Sequence, residues 1–147
     1  MRIDVFFTSD DKKKSLMRDV QHGLTSRPKT LLPKYFYDSV GSELFEQITE
    51  LPEYYLTRTE SQLLSSVART TISRVRPEEV IELGSGSSTK AKVVLEPAYA
   101  TGQLSSYIPF DVSESALTMA AEELTQEYPS LNVHGIVGDF ETDLDKI

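Results

Sequence analysis

The sequence contains no cysteine, which excludes disulfides and thiolate metal sites. Histidine is nearly absent: His22 and His134 stand far apart without ligand-like partner spacing, and no metal site is expected. Positive charge is in deficit. Against 23 Asp and Glu there are 15 Lys and Arg, a formal net charge of -8. That balance repels a phosphate backbone and argues against nucleic-acid partners. A small basic cluster, Arg27, Lys29 and Lys34 around two prolines, reads as a solvated loop. Long apolar runs are missing too. The N-terminal stretch MRIDVFFTSDDKKK has only a short apolar segment broken by charge, too short for a signal peptide. No run approaches the length needed to cross a bilayer. A soluble, cytoplasmic chain with no membrane partner is expected. Its 147 residues suit one domain with a real core, although the apolar share of 39% is on the low side.

What is present falls into two grammars. Residues 1–76 read as a helical segment with loops. SELFEQITEL places Leu44, Phe45, Ile48 and Leu51 on one helical face. Thr57 and Glu60 have capping-box spacing, and Leu63, Leu64, Val67, Ala68 and Ile72 continue the face of the helix behind them. Tyr35, Phe36, Tyr37, Phe45, Tyr54 and Tyr55 crowd the middle of this segment. They read either as packing for a small helical subdomain or as the wall of a pocket.

Residues 77–147 alternate strands and helices. VIEL is a short strand ending in a glycine turn. Ser87 or Ser88 is placed to cap the next helix, which should run to about Glu96 and stop at Pro97. LSSYIPFDV is a second strand, with Pro109 expected near an end or a bulge. Ser113 caps a helix whose Ala116, Leu117, Ala120, Ala121 and Leu124 face inward, and NVHGIVGDF is a third strand. The order β-α-β-α-β predicts a right-handedly wound parallel sheet, half of a Rossmann-like α/β domain.

Ligands bind such sheets where strands end. Gly84-Ser85-Gly86 follows the first strand and lets backbone approach a ligand at a helix N-terminus. Asp111 ends the second strand, an acid suited to ribose hydroxyls. Asp139 and Phe140 follow the third, a carboxylate for an adenine amino group beside a ring that can stack. A dinucleotide fingerprint wants glycine at position 89, which is Thr, and Lys90 lacks phosphate-loop spacing. Glu82, unwelcome beside a pyrophosphate, suits a cationic amino-acid end. Glu82, Gly84 and Gly86 followed by Asp111 therefore resemble the S-adenosylmethionine site of Rossmann-like class I methyltransferases.

Four stretches, RPKTLLPKYFYDSVGSELFEQITELPEYYLTRTE, IELGSGSSTK, FDVSESAL and VGDF, together resemble the histidine-specific methyltransferase family. The resemblance runs from about Leu24 to Phe140. It implies S-adenosylmethionine as cofactor and trimethylation of the α-amine of L-histidine to hercynine, the first step of ergothioneine biosynthesis. Fungal members act on a prenylated tryptophan, so a tryptophan derivative is the alternative substrate. Through the resemblance, Gly84 and Lys90 match cofactor contacts, Asp111 the ribose acid, and Asp139 with Phe140 the adenine end. Tyr54 matches a contact to the substrate histidine and Tyr37 a pocket residue near the imidazole. Methyl transfer from a sulfonium needs little acid-base machinery, and no side chain is expected to act as a nucleophile. Leu56 stands where the family has proline in PEYYPTR.

Family members are substantially longer, and their further portion supplies additional substrate-gripping residues. The chain is therefore expected to be truncated and inactive alone. The competing reading is a non-catalytic relative that acts as a binding or interaction module. Either way, the first sheet strand should present an open apolar edge that favours self-association.

Overall fold

The computed structural model describes residues 1–36, 38–86, 88 and 90–147, with the backbone alone at Ser39 and Ser42. In chain order the elements are β1 (Arg2–Val5), α1 (Ser9–Thr25), α2 (Ser39–Thr49), α3 (Leu56–Val75), β2 (Glu79–Leu83), α4 (Ala91–Tyr99), β3 (Ser106–Asp111), α5 (Glu114–Glu127) and β4 (Asn132–Val137). Short 3-10 turns occupy Pro33–Phe36 and Leu144–Lys146. Two compact units result, one of residues 8–60 and one of residues 1–7 with 61–147. No helix among the described residues is long and apolar enough to cross a membrane.

The larger unit carries the expected β-α-β-α-β succession from β2 to β4. All strand pairs are parallel, and the sheet order is β1-β4-β3-β2. Strand β1 is an addition, since residues 1–76 read as helices and loops. Arg2 lies opposite His134 and Val5 opposite Val137, so the N-terminus adds a parallel strand to β4. Arg2 and Asp4 alternate with Ile3 and Val5, the period of a strand. Asp4 takes an ion pair from Arg2 at 2.6 Å and lies 3.0 Å from His134 Nε2.

Pleating sorts the sheet residues onto two faces. Tyr107 and Val133 join Leu95, Ala98, Ala121, Leu124 and Ile72 in the main core, so α4, α5 and the end of α3 pack on that face. Ile108, Phe110 and Ile136 form a smaller cluster. Pro109 is neither at an end nor at a bulge; it lies inside β3, opposite Glu82 of β2. Having no N–H, it cannot complete both ladders. Pairing of β3 with β4 accordingly holds at Ser106 and Tyr107, lapses across Ile108 and Pro109, and resumes at Phe110.

Helix α4 also departs from expectation. It begins at Ala91 with Lys90 in front, and no side chain caps it. Ser88 is not the cap, and Ser87 lies outside the described residues. The helix runs through Pro97 to Tyr99. Only one intrahelical bond is forfeited there, while fully buried Leu95 and Ala98 hold the last turn on the core. Helix α5 agrees with its pattern: Ser113 Oγ accepts from Ala116 N–H at 3.3 Å, and Leu117, Ala120, Ala121 and Leu124 are buried.

In the smaller unit, α1 opens with a capping box between Thr8 and Asp11. Tyr35 donates to Asp19 at 2.6 Å, tying the 3-10 turn to α1. Asp38 caps α2 by accepting from Gly41 N–H at 2.7 Å. Leu44, Ile48 and Leu51 of the expected apolar face remain substantially exposed. Helix α3 begins at Leu56, and Thr59 N–H bonds the Tyr55 carbonyl at 2.9 Å, so Thr57 sits inside the first turn rather than before it.

Candidate functional site

Strands β2, β3 and β4 end together, and Glu82, Gly84, Gly86, Asp111, Asp139 and Phe140 lie at or just beyond those ends. The β2–β3 ladder continues past Leu83: Gly84 N–H donates to the Phe110 carbonyl at 2.8 Å and Ser85 N–H at 3.2 Å. The chain then turns sharply. Gly84 and Gly86 have φ of 73° and 50°, a left-handed backbone that glycine adopts without a Cβ penalty. Ser88 adopts φ 54° as well.

Asp111 locks this turn. Its Oδ2 accepts from Gly86 N–H at 2.9 Å and its Oδ1 from Ser113 N–H at 2.9 Å. One carboxylate thus joins the glycine turn to the start of α5, and each oxygen retains a second lone pair for a ligand hydroxyl. A Cβ built on Gly86 meets nothing within 4 Å, so open space lies before the turn. Ser85 Oγ is buried without a hydrogen-bond partner among the described residues, a donor-acceptor group left for something to satisfy.

On one side of the turn lie aromatic rings. Phe140 stacks on Phe110 at 5.1 Å between centroids with 21° between planes, and its ring comes within 3.6 Å of a Cβ built on Gly84. Phe110 is fully buried, Phe140 partly exposed. Gly138 permits this packing, because a Cβ there would come within 2.6 Å of the Phe110 ring. Asp139 is buried, with Oδ1 accepting from Glu141 N–H at 2.9 Å and its own N–H donating to Asp143 at 2.8 Å. In this structure Asp139 shapes the turn after β4, in addition to standing at the strand end.

On the other side lies a polar group of three. Glu82 accepts from the Tyr107 hydroxyl, and Tyr107 Oη lies 3.1 Å from Ser88 Oγ. Burial pushes the Glu82 carboxyl above its usual range; the Tyr107 hydrogen bond and the Lys90 charge oppose this, and the Asp111 charge adds to it. Burial, then the Glu82 carboxylate, drive the Tyr107 phenol far up. Lys90, exposed just before α4, thus acts electrostatically on the acid beside the turn.

Glu82, Gly84, Gly86, Asp111 and Phe140 are therefore brought together by direct or shared contacts, with Asp139 beside Phe140. Tyr54 belongs to the smaller unit. Its ring meets Phe45 edge-on at 6.1 Å, and Arg58 donates to the Leu51 and Pro52 carbonyls at 2.8 and 2.6 Å, bracing the loop that carries it. Tyr37 lies outside the described residues. Sequence reasoning missed Tyr107, Ser88 and Asp143. For Tyr107 the strand SYIPFD carries only the general signal that a phenol hydroxyl needs a partner when buried.

Comparison with known proteins bears on the family of the chain. A family model described as "Histidine-specific methyltransferase, SAM-dependent" matches residues 16–147. The histidine N-alpha-methyltransferase of Mycolicibacterium smegmatis is 44% identical over 142 residues, covering 97% of this chain and 44% of that protein. Ergothioneine biosynthesis protein 1 of Schizosaccharomyces pombe is 34% identical over 145 residues, 95% of this chain and 18% of the relative. The 4-dimethylallyltryptophan N-methyltransferase of Claviceps purpurea is 30% identical over 138 residues, 92% and 40% respectively. The chain thus spans less than half the length of these curated relatives.

Proposed function

The chain belongs to the histidine-specific, S-adenosylmethionine-dependent methyltransferase family, and on that premise we propose that it carries the cofactor site of an amino-acid N-methyltransferase acting on the α-amine of L-histidine. The observation that carries the reading is the glycine turn: left-handed at Gly84 and Gly86, pinned by Asp111, and open in front of Gly86. The residues present fit S-adenosylmethionine. Glu82 offers a carboxylate to the ammonium of the amino-acid end, and Lys90 a cation to its carboxylate. Asp111 offers its remaining lone pairs to the ribose. Asp139 and Phe140 serve the adenine end, and the buried Ser85 hydroxyl is available for a polar atom approaching the turn.

When bound, the cofactor supplies a methyl group already activated on a sulfonium, so the protein's task is positioning. Holding an amine in line with such a group can supply about 7–11 kcal/mol of a barrier. Glu82 and Asp111 act here as binding groups. Tyr54, held by Phe45 and the Arg58-braced loop, is the proposed contact to the substrate amino acid, and Tyr37, outside the described residues, is proposed as a further pocket residue through the resemblance. Histidine is favoured over a tryptophan derivative because the family description names histidine and the bacterial relative is 44% identical, against 30% for the tryptophan enzyme.

Calorimetric titration of the chain with S-adenosylmethionine and S-adenosylhomocysteine tests the cofactor assignment. Binding is expected, and Asp111→Ala or Asp139→Ala should each weaken it by about tenfold or more, the worth of one hydrogen bond to a charged group. Affinity unchanged in both variants sinks the site.

A further inference from the structure

Resting on that reading, we propose that Tyr107 is a positioning residue: with Ser88, it holds the Glu82 carboxylate in the orientation that receives the ammonium of the cofactor's amino-acid end. The sheet dictates the meeting. Tyr107 lies opposite Val80 and Pro109 opposite Glu82, so Tyr107 and Glu82 share one face, a step apart along the strands. The Tyr107 side chain is completely buried and leaves its hydroxyl on Glu82. A phenol has one proton. Tyr107 directs it at Glu82, and Ser88 Oγ lies 3.1 Å from the same hydroxyl, a second contact that fixes where the phenol points.

Packing alone does not account for these three residues. Phenylalanine would fill the Tyr107 site without introducing a buried hydroxyl that requires partners. Ser88 is 1% exposed and holds a left-handed backbone, an arrangement that carries strain for a residue with a Cβ. The outcome of both is a fixed donor on Glu82 Oε2, which leaves the rest of the carboxylate with a defined direction. The groups acting on Glu82 are Tyr107 from β3, Lys90 ahead of α4 and Asp111 at the end of β3. Burial and Asp111 disfavour the carboxylate; Lys90 and the Tyr107 hydrogen bond favour it. Removing the phenol hydroxyl both frees the carboxylate to rotate and tips this balance towards the neutral acid.

Two measurements test the role. In the first, the Glu82 carboxyl carbon is followed by NMR through a pH titration of the 147-residue chain without cofactor. Tyr107→Phe should move its midpoint upward, and Ser88→Gly, which keeps a left-handed backbone at no cost, should move it the same way by less. In the second, S-adenosylmethionine affinity is measured by calorimetry between pH 6 and pH 8. Tyr107→Phe should weaken binding by about tenfold near neutrality, the value of a hydrogen bond to a charged group, and the deficit should widen as pH falls. A merely structural tyrosine gives a deficit independent of pH and an unmoved Glu82 midpoint, which overturns the proposal. Should Tyr107→Phe fail to fold, the Ser88→Gly titration decides: an unmoved midpoint there overturns the proposal. Wild-type protein with no affinity for the cofactor overturns the proposed function instead, and the cofactor-free titration tells the two failures apart.

Discussion

Asp111, the proposed ribose acid, also organises the glycine turn, and that structural duty is measurable without any ligand. Its two oxygens accept backbone N–H groups from Gly86 and Ser113, each at 2.9 Å. Asp111→Ala removes both acceptors at once. A net hydrogen bond to a charged group is worth about 1.5–3 kcal/mol. Asp111 is only half-buried, so water replaces part of each bond and the lower end applies. The expected loss of folding stability is about 2–3 kcal/mol, because the glycine turn and the first turn of α5 are loosened together. For a chain of this size that corresponds to a melting point lower by about 5–10 °C. Asp111→Asn keeps one acceptor oxygen but turns an amide donor towards the other N–H, so its loss should be intermediate. The assay is thermal and urea denaturation of the cofactor-free protein, wild type against both variants. If Asp111→Ala melts with the wild type, the carboxylate does not organise the turn, and the argument that the site is pre-arranged around it fails.

Gly86→Ala should cost about 1–2 kcal/mol of stability from the left-handed backbone alone, since its Cβ meets nothing, while cofactor affinity by calorimetry should fall if, as proposed, the cofactor occupies that space. The Asp4 carboxyl is held below its ordinary value of 3.8, first by the hydrogen bond from Arg2 and next by that with His134. Its contribution to docking β1 is therefore complete above about pH 3.8 and is lost as pH falls through the lower folded-state value; amide exchange in Arg2–Val5 should speed up there and not at higher pH. Strand β2 is one of the two edges of the sheet among the described residues, with Ile81 and Leu83 about half exposed, an apolar template for pairing. Light scattering should show concentration-dependent association that Leu83→Lys reduces, and a monodisperse monomer at all concentrations refutes it.

The strand-helix succession from Glu79 to Val137 was legible because each element carries its own local signals. Ser113 precedes an apolar helical stripe, and glycine follows two of the strands. Elements decided by distant partners were not legible. Strand β1 offers only Ile3 and Val5 as apolar positions, and its pairing rests on β4 with Asp4 beside His134, across nearly the whole chain. Pro97 reads locally as a stop, yet burial of Leu95 and Ala98 on the sheet outweighs one missing hydrogen bond.

The site divides along the same line. Glycine turns and strand-end acids announce themselves in sequence, because a ligand at the end of a parallel sheet requires those residue types there. Which acid holds the turn and which acid faces the ligand depends on contacts between residues 25 apart, such as Asp111 with Gly86 and Glu82 with Tyr107. Tyr107 sits in a run that reads as strand filler, and nothing within SYIPFD distinguishes a hydroxyl that orients an acid from one at the rim of a core. Its meaning appears only when register sets it one step from Glu82 on the same face. Positions with a second, non-local partner are thus where the chemistry of this site is decided, and Tyr107→Phe is the smallest change that separates packing from orientation.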